Sequence, residues 1–245
     1  MGHCIQDFVC SYNCSSSFNS FAGSHCCIYP KENSVNKCQI FHSSIAENKG
    51  YGYSVFFQEG DLLISGLNFS VCNCERYSAY TIINPRSNGI CNYSTISRCS
   101  SSERGIIQHA QLSQKIDHCN ILNNTTPNSS IFGVVLSWVC TLSIEESCFL
   151  KNISPHLFAI YANPSSISLN RCLFDSSAST LHPTLSGGIT FKMANNVNSL
   201  NLRLHHYPPD GCGLNNQIIF KCSIKNNNRS IFSISSFYLA FISSS

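Results

Sequence analysis

Charged residues are few in this chain, and the two signs nearly balance. Asp, Glu, Lys and Arg make up 11% of the 245 residues, and the net charge is +3, whereas roughly 25% is usual for a domain. A nucleic-acid-binding surface needs a dense basic patch, so we expect no nucleic-acid partner. Uncharged Ser and Asn can stack in successive turns without the repulsion that like charges would bring.

Long apolar runs and targeting signals are missing as well. The most apolar stretch, residues 231–242, is interrupted by serines and is 12 residues long, which is too short to span a membrane. The opening hexapeptide, MGHCIQ, has no basic region followed by an apolar stretch, as a signal peptide would have. We expect neither a signal peptide nor a membrane span in these residues.

Metal-binding motifs are absent although the chain holds 16 cysteines. Paired CxxC motifs are typical of structural zinc sites, and the nearest approaches to one here are Cys72-Asn73-Cys74 and the adjacent Cys26-Cys27. No metal or other cofactor is predicted. The cysteines therefore serve either as small apolar core residues or as disulfides.

What the sequence does contain is a repeat. A motif of Cys-x-apolar followed by two polar residues recurs about every 24 to 29 residues. Such a period is typical of solenoids, in which each unit buries its apolar side against its neighbours. We expect a single domain over residues 1–245, and a fragment of a longer repeat protein, because the chain begins inside a repeat and ends without a polar cap. The predicted anchors are Cys10, Cys38, Leu67, Ser94, Cys119, Cys148, Cys172, a degenerate position near Leu200, and Cys222.

Each repeat predicts three short strands. Apolar runs of 3 to 6 residues, rich in Ile, Val, Phe and Tyr, alternate with Ser, Asn, Gly and Pro, which favours strands over helices. A strand can pair with its equivalent one period later, which gives three parallel sheets. The predicted fold is an all-β, right-handed parallel β-helix of about nine coils, its hand taken from the general rule for crossovers between parallel strands.

Equivalent cysteines one coil apart would form a column with about one strand spacing between neighbours. That spacing is within the Cα separation of a disulfide. Two alternatives therefore stay open for the pairs Cys119–Cys148 and Cys148–Cys172, namely buried free thiols and disulfides. The direction of the side chains decides between them.

Glycosylation sequons are frequent, and they are consistent with a secreted protein. The eight Asn-x-Ser/Thr sites are Asn13, Asn68, Asn92, Asn123, Asn124, Asn128, Asn152 and Asn228.

Two short motifs carry a family resemblance. The tetrapeptide from Phe149 to Asn152 has the form FxxN, and Gly187-Gly188-Ile189 supplies a GGxI-like element. With these motifs the chain resembles the right-handed β-helix repeats related to polymorphic outer-membrane proteins. Its cysteine-rich style is similar to surface-protein families of parasitic protists. The resemblance implies a cell-surface or extracellular protein that binds host or neighbouring-cell glycans or proteins through the flank of the helix, without catalytic residues.

An enzyme is the main alternative, because β-helices also serve as polysaccharide lyases and glycoside hydrolases. Such enzymes need paired carboxylates. Asp117 and Glu146 stand one coil apart, each two residues before an anchor cysteine, with Arg171 in the next coil. These three are the catalytic candidates if the protein is an enzyme. A third alternative is a truncated, nonfunctional copy of a surface-protein family.

One segment interrupts the repeat. Residues 195–216 are rich in turn-forming residues, which predicts a loop that leaves the solenoid. Such insertions often carry recognition surfaces. Tyr207 is the first candidate there for contact with a ligand.

Overall fold

The computed structural model shows a parallel β-solenoid of about five turns, with no helix among the residues it describes. Those residues are 3–16, 23–28, 36–87, 89–175 and 190–195, together with 181, 197, 198, 200, 202 and 204. The predicted all-β class and parallel solenoid are confirmed. Several predicted residues lie outside the described part of the chain, namely Gly187, Gly188, Ile189, Tyr207, Cys222 and Asn228.

The strands succeed one another in a repeating order. The first eight are β1 (Cys4–Asp7), β2 (Cys10–Tyr12), β3 (Ser15–Ser16), β4 (Gly23–Ile28), β5 (Lys37–Phe41), β6 (Ser44–Ala46), β7 (Lys49–Gly50) and β8 (Tyr53–Gln58). The next eight are β9 (Asp61–Ser65), β10 (Asn68–Ser70), β11 (Asn73–Cys74), β12 (Tyr77–Ile83), β13 (Gly89–Asn92), β14 (Thr95–Ser97), β15 (Ser100–Ser101) and β16 (Gly105–Asp117). The remainder are β17 (Asn120–Leu122), β18 (Val135–Glu145), β19 (Cys148–Leu150), β20 (Phe158–Tyr161), β21 (Ser166–Asn170), β22 (Leu173–Phe174) and β23 (Thr190–Ala194).

Each strand pairs in parallel with its equivalent in the next turn. A seven-stranded sheet runs β2-β6-β10-β14-β17-β19-β22, and a four-stranded sheet contains β3, β7, β11 and β15. The 12-stranded sheet combines two series of strands, because β16 and β18 continue from one series into the other. The sequence analysis predicted three series and missed the short fourth one, whose strands are only two residues long.

The interior is filled by columns of side chains that repeat once per turn. Ile64, Cys91 and Ile116 are paired in register and are fully buried. Ile144 continues the same column. Burying one such aliphatic side chain contributes about 1.5 to 3 kcal/mol, so these columns stabilise the stacking of successive turns.

The chain turns its corners through single residues with left-handed backbone. In the first corner, His42 has a φ of 39° and His118 a φ of 49°. The N–H group of His42 donates to the carbonyl oxygen of Ser65, and that of His118 to Glu145, one turn on. The cost of left-handed backbone, about 1 to 2 kcal/mol for an L-residue, is therefore offset by an axial hydrogen bond. The second corner column contains Asn13, Glu47, Val71, Arg98, Asn123 and Lys151, and the third contains Glu59, Asn84, Gln111, Val139 and Ala162.

The FxxN tetrapeptide has a structural explanation at the second corner. Asn152 follows the left-handed Lys151, and its side chain turns inward. Its Oδ1 accepts from the backbone N–H of Asn124, and its Nδ2 donates to the carbonyl oxygen of Ile121. Asn124 repeats the arrangement one turn earlier. The asparagine thus satisfies backbone groups that the corner leaves unpaired, while Phe149 fills the core.

The predicted anchors do not form one column. Leu67 and Cys119 each follow a left-handed corner residue and are fully buried. Cys148 is one residue later, because it pairs with Asn120 rather than with Cys119, and Cys10 has the same offset. Cys38 belongs to another series, since its partners are Cys4 and Leu62. A Cys-x-apolar pattern cannot distinguish these positions, because strands of different series share the same alternation.

We predict that Val71→Asn raises the free energy of unfolding by about 1 kcal/mol, because a β-branched residue fits left-handed backbone poorly and asparagine fits it well. Val71 has a φ of 58° and is 41% exposed, so little packing is lost. Urea denaturation measures the change. The control is Ile5→Asn, at an exposed position in β1; an equal gain there would contradict the backbone explanation.

We predict that Asn124→Ala lowers the free energy of unfolding by about 3 kcal/mol. The substitution leaves the N–H of Cys99 and the carbonyl of Ile96 buried without their side-chain partner, at roughly 1 to 3 kcal/mol per group. The exposed Asn128 provides the matched control, since Asn128→Ala removes no buried contact. Equal urea midpoints for the two variants would show that the inward asparagine does not stabilise the fold.

Candidate functional site

The first corner places one outward side chain per turn along an edge of the solenoid. We call this column the corner ladder. Its steps are about 4.8 Å apart, the spacing of neighbouring strands. Its members are Phe8, His42, Gly66, Tyr93, His118, Glu146 and Arg171.

Aromatic rings occupy the first part of the corner ladder in two pairs. Phe8 stacks on His42 with ring centroids 5.2 Å apart, and Tyr93 lies against His118 at the same separation. Phe8 is 58% exposed and Tyr93 48%, so about half of each side chain is open to solvent. Gly66 separates the pairs; a Cβ there would lie 3.3 Å from His42 Cδ2, and its φ is 66°. The glycine places no side chain between the two ring pairs, and the His42 ring lies close against it.

Charged groups occupy the second part of the corner ladder. The two nitrogens of the His118 ring lie 2.9 Å from Asp117 Oδ1 and 3.2 Å from Glu146 Oε2. Arg171 Nε lies 3.3 Å from Glu146 Oε1. The structure therefore brings together Asp117, Glu146 and Arg171, the three catalytic candidates of the sequence analysis, with His118 as the bridge between the carboxylates.

Lys115 extends this network onto the neighbouring strand face. Its Nζ lies 2.9 Å from Glu145 Oε2 and 3.6 Å from Asp117 Oδ2. The hydrogen bond from Lys115 lowers the pKa of the Glu145 carboxyl, and Glu145 in turn raises the pKa of Lys115. Ser143 donates a further hydrogen bond to Glu145.

The network is organised for charge pairing and hydrogen bonding. Each of its three carboxylates contacts a lysine, an arginine or an imidazole. A glycosidase acid needs a raised carboxyl pKa; because the pKa of Glu145 is lowered, that carboxyl does not fit the acid role. Among the described residues, no group of three or more His, Cys, Asp or Glu side chains is arranged to hold a metal ion. The arrangement offers paired donors and acceptors to a ligand that carries hydroxyl groups.

The sequence analysis missed the aromatic part of the corner ladder. Phe8, His42 and Tyr93 share no residue type with one another, so no motif marks them. Only their position in the repeat identifies these three residues, since each directly precedes the inward residue that follows the corner. That position becomes visible only once the strand register is known.

A third exposed ring pair lies near the third corner. Trp138 and Tyr161 are neighbours in successive turns and are each 40% exposed. Their rings meet edge to face at 5.7 Å, and Arg104 lies over the nearby Phe132 ring.

The disulfide alternatives for two cysteine pairs are decided by side-chain direction. Cys119 and Cys172 are fully buried free thiols in the interior. Cys148 lies on the opposite face, since its strand neighbour Phe149 points into the core. Neither Cys119–Cys148 nor Cys148–Cys172 is bonded, and 13 of the described cysteines are free thiols. Cys10 is disulfide-bonded.

The sequons differ in their accessibility. Asn124 is fully buried, and its amide is used in corner hydrogen bonds. Asn152 uses its amide in the same way. These two cannot receive a glycan in the folded protein. The exposed sequon asparagines are Asn13, Asn123 and Asn128, whereas Asn68 and Asn92 are half-buried.

Part of the predicted loop 195–216 lies against the outer face of the seven-stranded sheet. Asn120 donates to the carbonyl oxygen of Leu202, and the Cys148 thiol lies 3.8 Å from that of Leu200. The expected degenerate coil position near Leu200 therefore has its carbonyl oxygen close to this sheet. Tyr207 is outside the described residues.

Comparison of the chain with protein-family models, curated proteins and solved structures found no match. The resemblance to outer-membrane and protist surface repeats therefore stays a prediction. No helix long and apolar enough to cross a membrane occurs in the part of the chain that the structure describes.

We predict that Lys115→Gln raises the pKa of the Glu145 carboxyl toward its usual value, measured by carboxyl-resolved NMR titration. Because the folded-state pKa of Glu145 is lowered, the pair stabilises the fold above the carboxyl's usual pKa and loses that contribution on further acidification. Both side chains are about one-third exposed, so the loss is less than about 1 kcal/mol. A Glu145 titration unchanged by the substitution would contradict the assigned ion pair.

Proposed function

We propose that this protein is a non-catalytic recognition module, secreted or displayed at a cell surface, that binds glycan chains along the corner ladder. The observation that supports it is the row of exposed rings, Phe8 and Tyr93 with their stacked histidines, continued by a hydrogen-bonding charge network on the same edge. The family resemblance points to the same role and compartment.

Sugars suit this surface because of their mixed chemistry. A pyranose ring has an apolar C–H face that packs on an exposed aromatic ring, and its hydroxyl groups hydrogen-bond to carboxylates and amides. Tyr93 supplies such a ring next to Asp117 and His118. A solenoid repeats these features along its axis, so its natural ligand is a linear chain that spans several turns.

The charged groups along this edge favour glycans over phosphate polymers as ligands. Asp7, Asp117 and Glu146 line the edge together with Glu145, while the permanent cations in these contacts are Lys115 and Arg171. A nucleic acid would be repelled by this balance. Neutral or cationic sugars are preferred as host or neighbouring-cell partners.

The proposal also includes the handedness of the solenoid and its number of coils. We take the solenoid to be right-handed, as parallel crossovers almost always are, and to continue to about nine coils, because the repeat recurs as far as Cys222. More coils lengthen the edge that carries the corner ladder.

A polysaccharide-active enzyme is the second candidate, favoured by one observation. Asp117 and Glu146 contact the same imidazole ring from opposite sides, which links two carboxylates through a group able to carry a proton. In this candidate they supply the acid and base roles, and Arg171 neutralises charge. Product formation distinguishes the two functions.

We predict that Tyr93→Ala weakens glycan binding about 2- to 10-fold, since a stacked ring contributes about 0.5 to 1.5 kcal/mol. Phe8→Ala has an effect of the same size. Glycan-array binding followed by calorimetry on the best ligand measures the loss. Leu112→Ala is the matched control, because Leu112 is equally exposed, at 51%, but lies at a different corner.

The double variant Asp117→Asn, Glu146→Gln separates the candidates. Under the proposed function, neither protein releases product, and the double variant binds the same glycans more weakly, because the two substitutions remove carboxylates that hydrogen-bond to the ligand. Cleavage by the wild type that the double variant abolishes would overturn the proposal in favour of the enzyme. A folded wild type that binds no glycan would support a nonfunctional copy.

A further inference from the structure

Two buried thiols meet directly behind the corner ladder. The Sγ atoms of Cys91 and Cys119 are 4.0 Å apart, and both residues are fully buried. Cys91 is in β13, and Cys119 follows the next first-corner residue, so the pair joins two successive turns. The structure records both as free thiols.

The surroundings hold the two thiols toward one another. Cys119 donates to the carbonyl oxygen of Cys91 at 3.6 Å and to that of Asp117 at 3.3 Å. Tyr80 lies beside Cys91, with its hydroxyl 3.0 Å from His109 Nε2. These groups are buried in the interior, so the thiols have few alternative positions.

We propose that Cys91 and Cys119 form a disulfide when the chain folds in the presence of a low-molecular-weight disulfide oxidant. A disulfide needs an S–S distance of about 2.05 Å, so side-chain rotation about Cα–Cβ must bring the sulfurs together from 4.0 Å. During this rotation the backbone keeps its position, because the N–H group of His118 stays hydrogen-bonded to the carbonyl oxygen of Glu145.

The reaction is ordinary thiol–disulfide exchange. One cysteine thiolate attacks a sulfur of oxidised glutathione, forms a mixed disulfide and releases one glutathione as its thiolate. The second cysteine thiolate then attacks the protein sulfur and releases the second glutathione. Two protein thiols are oxidised by two electrons, one oxidised glutathione is reduced to two glutathiones, and the two thiol protons pass to the released thiolates.

The position gives the bond a consequence for the surface. Cys91 is two residues before Tyr93, and Cys119 directly follows His118. The rings of Tyr93 and His118 form the second ring pair of the corner ladder. The bond would fix the separation of these two turns from the inside. The inference itself does not depend on which ligand the corner ladder binds.

Disulfide mapping of the full chain tests the inference. The reduced, unfolded protein is refolded in glutathione buffers from reducing to oxidising, trapped by alkylation and analysed by mass spectrometry. We expect a cross-linked peptide pair containing Cys91 and Cys119, lacking two hydrogens, in the oxidising buffers alone. Recovery of both cysteines in alkylated form from oxidised, folded protein, or their linkage to other cysteines, would overturn the proposal.

Stability provides the second measurement. A link between residues 28 positions apart constrains the unfolded chain, so oxidised wild type is expected to unfold at higher urea than reduced wild type. Cys119→Ala should lose the part of this shift that the link supplies, whereas Cys140→Ala, at another fully buried free thiol, should keep it. An equal shift in both variants would contradict the assigned pair.

Discussion

The structure depends on one constraint, the stacking of each turn on its equivalent by parallel backbone hydrogen bonds. Once the turns are in register, the residues at each position of the repeat form a column along the axis. Inward columns become continuous hydrophobic strips such as Ile64, Cys91 and Ile116. Outward columns become rows of surface groups. The corner ladder exists because this rule places unrelated residues side by side.

Stacking also dictates how the corners are built. A turn that must stay one strand spacing from its neighbours has no room for a long loop, so a single left-handed residue redirects the chain. Its N–H still donates axially, as at His42 and His118. Where the corner leaves further backbone groups unpaired, an inward asparagine supplies the partners, as Asn124 and Asn152 do.

The sequence predicted what depends on period alone. Recurring apolar runs identified the parallel solenoid, and counting back from Cys119 and Cys148 placed Asp117 and Glu146 in neighbouring turns, although Asp117 pairs in register with Glu145. It did not predict the features that require the strand register to be known to within one residue. Cys38 was placed with anchors of another strand series, since the same alternation of apolar and polar residues occurs in each series. The short strands β3, β7, β11 and β15 have too few residues to show any pattern.

The residues of the corner ladder are not explained by stability. Left-handed backbone favours glycine and asparagine, and Gly66 shows that the corner accepts a glycine. Phe8 and Tyr93 carry the cost of that backbone while leaving about half of their surface in water, so burial offsets little of it. Large rings held in unfavourable backbone at an exposed edge are a feature that folding does not require. Strained backbone of this kind is often found where proteins bind their ligands, and on this ground we propose recognition at the first corner.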